Sequence, residues 1–200
     1  MLHGFPEFSW GWRKQIDALA DHGYRVVAPD MRGYGRSDAP EGVEAYRRTC
    51  LINDIIGLAD ALNLERFDLV GHDWGGLVAW PLVARHAHRV RRLVILSAPH
   101  ADTVTGEMIR HPMQLARSSY VAFFQLPWIA EAALRFDNFA ALRHALTSSA
   151  RAGTFAPSDL NTYVEAWRGD GRLTAMLNYY RALRLPESRI GRITTPTLIL

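Results

Sequence analysis

The sequence predicts an α/β fold, a parallel sheet covered by helices and interrupted by one long helical insertion. Strand-like apolar runs at Tyr24–Ala28, Phe67–Val70 and Val90–Ser97 alternate with helix-like stretches, the order a parallel sheet with covered faces requires. Between the second of these runs and the helix after it, Gly71 and Gly75 flank Asp73 at minus two and plus two, the spacing of a sharp strand-to-helix corner. The pattern then turns helical and aromatic-rich from 99 to 190 before strand character returns at Pro196–Leu200. Three units follow: a core over 1–98, an inserted helical cap over 99–190 and a returning core strand over 191–200.

Taken in order, Met1 and Leu2 read as the end of a strand that runs into the loop His3-Gly4-Phe5-Pro6-Glu7. Trp12 to Asp21 carries apolar residues at Ile16, Leu19 and Ala20, with Gly23 as a helix stop. After the strand at Tyr24–Ala28, residues 29–38 are rich in turn formers. A second helix is predicted from Glu44, with Leu51, Ile55, Leu58, Ala59 and Leu62 on one face, and a third from Trp74 to His86. The terminal stretches suggest that the chain starts and stops inside its fold.

Composition narrows the function classes. With 48% hydrophobic and 22% charged residues the chain is an ordinary globular sequence, not a disordered one. The basic pI of 9.3 belongs to a net charge of only +3, with arginines scattered along the chain, which argues against a nucleic-acid surface. Neither a leader pattern nor a run of 18 apolar residues occurs, so a protein neither secreted nor membrane-spanning is expected. Cys50, the one cysteine, is expected in the core and fits a reducing, cytoplasmic setting. His86 and His88 should point to different faces of a helix end and lack a third ligand, so neither a metal nor a cofactor is implied.

Asp73 is the candidate nucleophile. A carboxylate attacks acyl carbon poorly but displaces a leaving group from saturated carbon, forming an alkyl ester on the enzyme. The helix N-terminus behind it favours negative charge there. The plainer alternative is an Asp that only caps the helix. Gly35-Arg36-Ser37-Asp38-Ala39 imitates a serine corner but has no strand before it, which makes Ser37 a loop hydrogen-bonder. Gly33-Tyr34-Gly35 lacks the third glycine of a dinucleotide fingerprint.

These stretches resemble the α/β-hydrolase fold and, within it, the soluble epoxide hydrolases. His3-Gly4-Phe5-Pro6 is similar to that family's oxyanion loop, Arg32 to Asp38 to its RGYGxSD loop, and Gly71-His72-Asp73-Trp74-Gly75-Gly76 to its nucleophile elbow. The resemblance implies that Asp73 opens an epoxide while the Phe5 and Trp74 N–H groups hold the oxyanion, with His3 shaping the loop. It also implies two cap tyrosines, the first opening Tyr-x-x-x-Phe-Gln and the second within Asn-aromatic-Tyr-Arg. These match Tyr120 to Gln125 and Asn178 to Arg181, making Tyr120 and Tyr180 the ring-opening pair. A leaving alkoxide needs a proton, which phenols can deliver, whereas a halide does not. Phe123, Phe124 and Trp128 are expected to wall a pocket for a small apolar epoxide.

The family's relay acid and catalytic His would follow Leu200, so the chain as written is expected to stop at an Asp73 ester. His72, His100, His111 and His144 are weighed as substitutes and set aside, and Asp102 is read as a helix N-cap. Two rivals remain: a haloalkane dehalogenase, with Trp74 as a halide donor, and a non-catalytic ligand-binding member of the fold.

Overall fold

Three parallel strands, β1 (Phe67–His72), β2 (Val90–Leu96) and β3 (Thr197–Ile199), form a sheet in the order β1-β2-β3. The computed structural model describes residues 1–103, 119–148 and 150–200. Leu69 to His72 run in register with Leu93 to Leu96, and Leu93 to Ile95 with Thr197 to Ile199. Leu69, Leu93 and Ile95 are buried, whereas β3 is exposed along its length. Parallel neighbours need crossovers, and α3 (Trp74–Arg85) supplies the first.

Around the sheet lie α1 (Arg13–Asp21) and α2 (Arg48–Ala61). The helix expected from Glu44 is split: Glu44–Tyr46 forms a 3₁₀ turn, and Arg47 is extended before α2 begins. Tyr46 is the cause, since its ring is buried and its hydroxyl donates to the Pro40 carbonyl at 2.9 Å. In α3, Pro81 sits inside the helix without ending it. Its surroundings, from Val78 to Val83, are all buried, so packing overrides the missing N–H.

Among the described residues, four helices are defined between β2 and β3: α4 (Ser119–Phe123), α5 (Ile129–Thr147), α6 (Pro157–Arg168) and α7 (Arg172–Ala182). The geometry of α5 breaks at Phe136 to Phe139, with Asp137, Asn138 and Phe139 at positive φ. Every residue of α7 from Ala175 to Ala182 is buried, which makes it the central rod of the insertion. A single buried cluster runs from Leu2, Leu69 and Leu93 through Tyr34 and Trp74 to Trp167, Leu173 and Tyr179. Strands and inserted helices therefore share one core, a coupling that the three-unit reading did not anticipate.

Four sequence expectations change. Residues 24–28 form no ladder. The Met1 amine donates to the Val27 carbonyl at 2.6 Å, one contact rather than the repeated N–H to carbonyl pattern of a ladder. Leu2 itself makes one parallel bridge, to Gly71. Cys50 is half-exposed, with Sγ 3.8 Å from the Glu44 carbonyl, because α2 buries Leu51, Ile52, Ile55 and Ala59 instead. Asp102 does not cap a helix: its carboxylate accepts the N–H groups of Ile190 and Gly191 at 3.0 to 3.2 Å, joining the start of the insertion to its end. The His86 and His88 rings lie 6.3 Å apart, since residues 87–89 form a 3₁₀ turn. Among the described residues no group of three His, Cys, Asp or Glu is placed to hold a metal, and no helix is long and apolar enough to cross a membrane.

The corner after β1 depends on two absent side chains. A Cβ at Gly71 would lie 2.6 Å from the Gly75 carbonyl oxygen, and one at Gly75 would collide with the Leu2 carbonyl. Gly57, in α2, faces nothing within 4 Å. Gly75→Ala should therefore cost roughly 3 kcal/mol or more, while Gly57→Ala should gain up to about 1 kcal/mol from helix propensity. Urea denaturation of the two variants checks this, and equal stabilities would contradict the collision.

Candidate active site

Asp73 occupies the corner at φ 48° and ψ −116°, a strained conformation for a residue with a Cβ. Backbone bonds on both sides hold it there: its N–H donates to the Leu96 carbonyl at 3.1 Å, and its carbonyl accepts the Leu77 N–H at 3.0 Å. Its carboxylate makes no capping bond to α3. Instead Oδ1 accepts the Phe5 N–H at 2.8 Å. Of the two N–H groups named as oxyanion donors, that of Phe5 is thus placed on the carboxylate, which makes no side-chain cap to α3.

Burial raises the Asp73 pKa above the usual carboxylate value, against the opposing pull of the Phe5 and Trp74 N–H groups and the His72 ring. Asp73 itself is half-buried, with one carboxylate oxygen anchored on the Phe5 N–H.

The Phe5 loop is fixed from below by His3. This buried imidazole accepts the Met31 N–H at Nε2 (2.9 Å) and places Nδ1 3.1 Å from the Gly4 carbonyl, so it is neutral and donates from Nδ1. Burial lowers its pKa to about 4. His3 shapes the loop, as the sequence indicates. Asp30 ties the same loop to the next one, accepting the N–H groups of Ser9 (3.0 Å) and Arg36 (2.9 Å), and the Ser37 hydroxyl donates to the Asp30 carbonyl at 2.6 Å.

Above Asp73 stands an aromatic box from the inserted helices. The Tyr180 ring lies 5.3 Å from Phe5, 5.0 Å from Trp74, 4.9 Å from Phe124 and 5.8 Å from Tyr120. Tyr120 lies 5.4 Å from Phe124, and the Asp73 charge acts on both phenols. Burial first, and that charge second, raise both tyrosine pKa values, so each phenol keeps its proton at neutral pH. Phe123 reaches the box only through Phe124, at 6.0 Å. Trp128 does not join it: at positive φ and 82% exposed, it faces solvent.

Of the histidines weighed as substitutes, His100 packs edge-on against Trp80 at 5.2 Å, His144 is exposed, and His111 lies outside the described residues. His72 turns to Glu7, with Nδ1 3.5 Å from Oε2. The Glu7 carboxylate raises the His72 pKa; burial pushes the Glu7 pKa up, but His72 and the Tyr163 hydroxyl, 3.2 Å from Oε1, bring it below the usual value. Sequence reasoning missed this pair, although Glu7 directly follows the oxyanion-loop motif. It also missed the bonds that dock the insertion: Trp167 Nε1 donates to the Pro6 carbonyl at 2.7 Å and the Tyr179 hydroxyl to the Arg32 carbonyl at 2.7 Å.

A sharp strand-to-helix corner carrying Asp73, a loop amide on its carboxylate and a layer of helices beside it sit on a parallel α/β sheet. The chain belongs to the alpha/beta hydrolase fold family, whose model matches residues 1–199. It is 47% identical over 184 residues to the AB hydrolase superfamily protein YfhM of Bacillus subtilis, covering 92% of this chain and 64% of that protein. It is 40% identical over 207 residues to human epoxide hydrolase 4, covering 100% of this chain and 57% of that protein. The chain thus spans less than two thirds of the length of these relatives. Among solved structures, an inhibitor complex of Bacillus megaterium epoxide hydrolase superposes with a TM-score of 0.85 at 30% identity, covering 99% of this chain and 73% of that one. An epoxide hydrolase from Vigna radiata gives 0.83 at 32%, with 99% and 70% covered.

The raised Asp73 pKa has a consequence for stability. A carboxyl held above its unfolded value contributes stability when protonated, and that contribution is lost as pH rises through the folded pKa. At pH 7 the buried charge is therefore a net cost. Asp73→Asn should stabilise the protein at pH 7 by about 0.5–2 kcal/mol, with the gain shrinking on acidification. Thermal melts at pH 7 and pH 4 check it; a variant less stable than the parent at pH 7 would contradict the assignment of strain to the charge.

Proposed function

We propose that this site opens epoxides, with Asp73 as nucleophile and Tyr120 and Tyr180 as proton donors, and that the protein hydrolyses small apolar epoxides to vicinal diols. The observation that carries the reading is the pair of protonated phenols, their rings 5.8 Å apart and both under the influence of the Asp73 charge, beside a carboxylate anchored on the Phe5 N–H. The names of the relatives support it. Asp73 Oδ1 stays on Phe5 while Oδ2 attacks a ring carbon; the carbon–oxygen bond breaks and the oxygen takes a phenol proton. As the carboxylate becomes an ester its charge disappears, which removes one of the causes raising both tyrosine pKa values and eases proton loss. Water then adds to the ester carbonyl, whose oxygen lies on the Phe5 N–H; of the two water protons one goes to the departing alkoxide to complete the diol and the other returns to the phenolate as the carboxylate re-forms, and this second step is the slow one, so the ester accumulates.

Residues 99–190 act in this reading as a cap that excludes water from the carboxylate, with Phe124 as the apolar wall, Phe123 behind it and Trp128 outside the pocket. A reducing cytoplasm suits the half-exposed Cys50 thiol.

Two measurements test the proposal. Incubation with an aryl epoxide should attach one adduct per chain, on Asp73, by intact-protein mass spectrometry, and Asp73→Ala should abolish it; an undiminished adduct in that variant excludes Asp73. Tyr120→Phe and Tyr180→Phe should each slow ring opening, and the double variant should lose on the order of 10²–10⁴ in rate. Halide release from a matched haloalkane without reaction of the epoxide would favour dehalogenation instead.

A further inference from the structure

Two motif residues have no part in the chemistry above: Gln125, which closes the Tyr120 motif, and Arg181, which follows Tyr180. The structure gives both a use. The buried Arg181 guanidinium donates from Nε to the Phe124 carbonyl at 3.0 Å and from Nη2 to the Leu126 carbonyl at 3.4 Å. Its two terminal nitrogens also grip Glu131, Nη1 to Oε1 at 2.7 Å and Nη2 to Oε2 at 3.0 Å. In the opposite sense, Gln125 Nε2 donates to the Tyr180 carbonyl at 2.9 Å and to the Val121 carbonyl at 3.1 Å.

These bonds cross between α4 with its following turn, the first turn of α5, and α7. Tyr120, 46% exposed, lies in α4. Its position relative to Tyr180 is set from outside α4, by carbonyls held on Arg181 and Gln125. Arg181 can point its fork that way only while Glu131 fixes its far side. A bidentate carboxylate sets both the plane and the direction of a guanidinium, which a single neutral acceptor does not.

We propose that Glu131 is a positioning residue for proton delivery: through Arg181 it holds α4 against α7, so that the Tyr120 and Tyr180 phenols address the same oxygen. This rests on the epoxide-opening reading above. Glu131 itself does not touch substrate. Its loss should slow only those reactions at Asp73 whose leaving group needs a proton.

The test compares two reagents that alkylate Asp73 in a single turnover. An aryl epoxide leaves an alkoxide and needs the phenols; phenacyl bromide leaves bromide and does not. Misplacement of a catalytic group by about 1 Å costs on the order of a hundredfold in rate. Glu131→Gln should therefore slow the epoxide reaction by roughly tenfold to a hundredfold and leave the bromide reaction within about twofold. Equal slowing of both reagents, or an unchanged epoxide rate, overturns the proposal. Should Glu131→Gln melt below the assay temperature, Gln125→Met decides, because it removes only the bonds to the Tyr180 and Val121 carbonyls and should show the same selectivity. The Tyr120→Phe, Tyr180→Phe double variant separates the two levels. If it reacts with the epoxide as fast as the parent, the epoxide-opening reading itself fails; if it is slow while Glu131→Gln is not, only the role of Glu131 fails.

Discussion

One carboxylate oxygen on one backbone amide, Asp73 Oδ1 on the Phe5 N–H, is the contact on which the rest of the site depends. To make it, β1 must end in a corner tight enough to exclude a Cβ at Gly71 and Gly75, and the His3–Pro6 loop must lie directly over that corner. His3 spends both ring nitrogens on backbone to hold the loop, which leaves none for chemistry. Asp30 braces the loop from the other side by taking the Ser9 and Arg36 amides. The strained φ at Asp73 is maintained by this surrounding network rather than by the residue itself.

The site joins two electrostatic regimes across a few ångströms. Below, backbone amides and the start of α3 favour negative charge. Above, Phe5, Trp74, Phe124 and Tyr180 form an apolar ceiling that withholds solvent from it. The carboxylate between the two is oriented by the amide below it and flanked by aromatic rings above. Its ceiling comes from helices inserted between β2 and β3, yet those helices share one continuous buried cluster with the strands.

The corner at Asp73 and the strand–helix alternation were legible in the sequence because each rests on local spacing, glycines two residues either side of Asp73 and helical periods; the short motifs that singled out Tyr120 and Tyr180 mark two rings that the fold brings to 5.8 Å. What escaped depended on contacts distant in sequence. Glu7 meets His72 sixty-five residues later, and Asp102 meets Gly191 eighty-nine residues later; neither pairing leaves a periodic trace. Trp128 was misjudged for a related reason, since an aromatic beside Phe123 and Phe124 looks like more wall, whereas its positive φ turns it outward. The strand expected at Tyr24–Ala28 has the right residues, but a ladder belongs to two segments, and local composition does not say which partner a segment meets.

The inserted helices hold the loops beneath them largely by main-chain oxygens. Trp167 grips the carbonyl of Pro6, Tyr179 that of Arg32 and Arg172 that of Ser37. Every amino acid carries that acceptor. Side chains on the gripped loops can therefore be exchanged without undocking the helices above them, so the pocket lining is free to diversify under natural or laboratory selection while the attachment points of the roof stay the same.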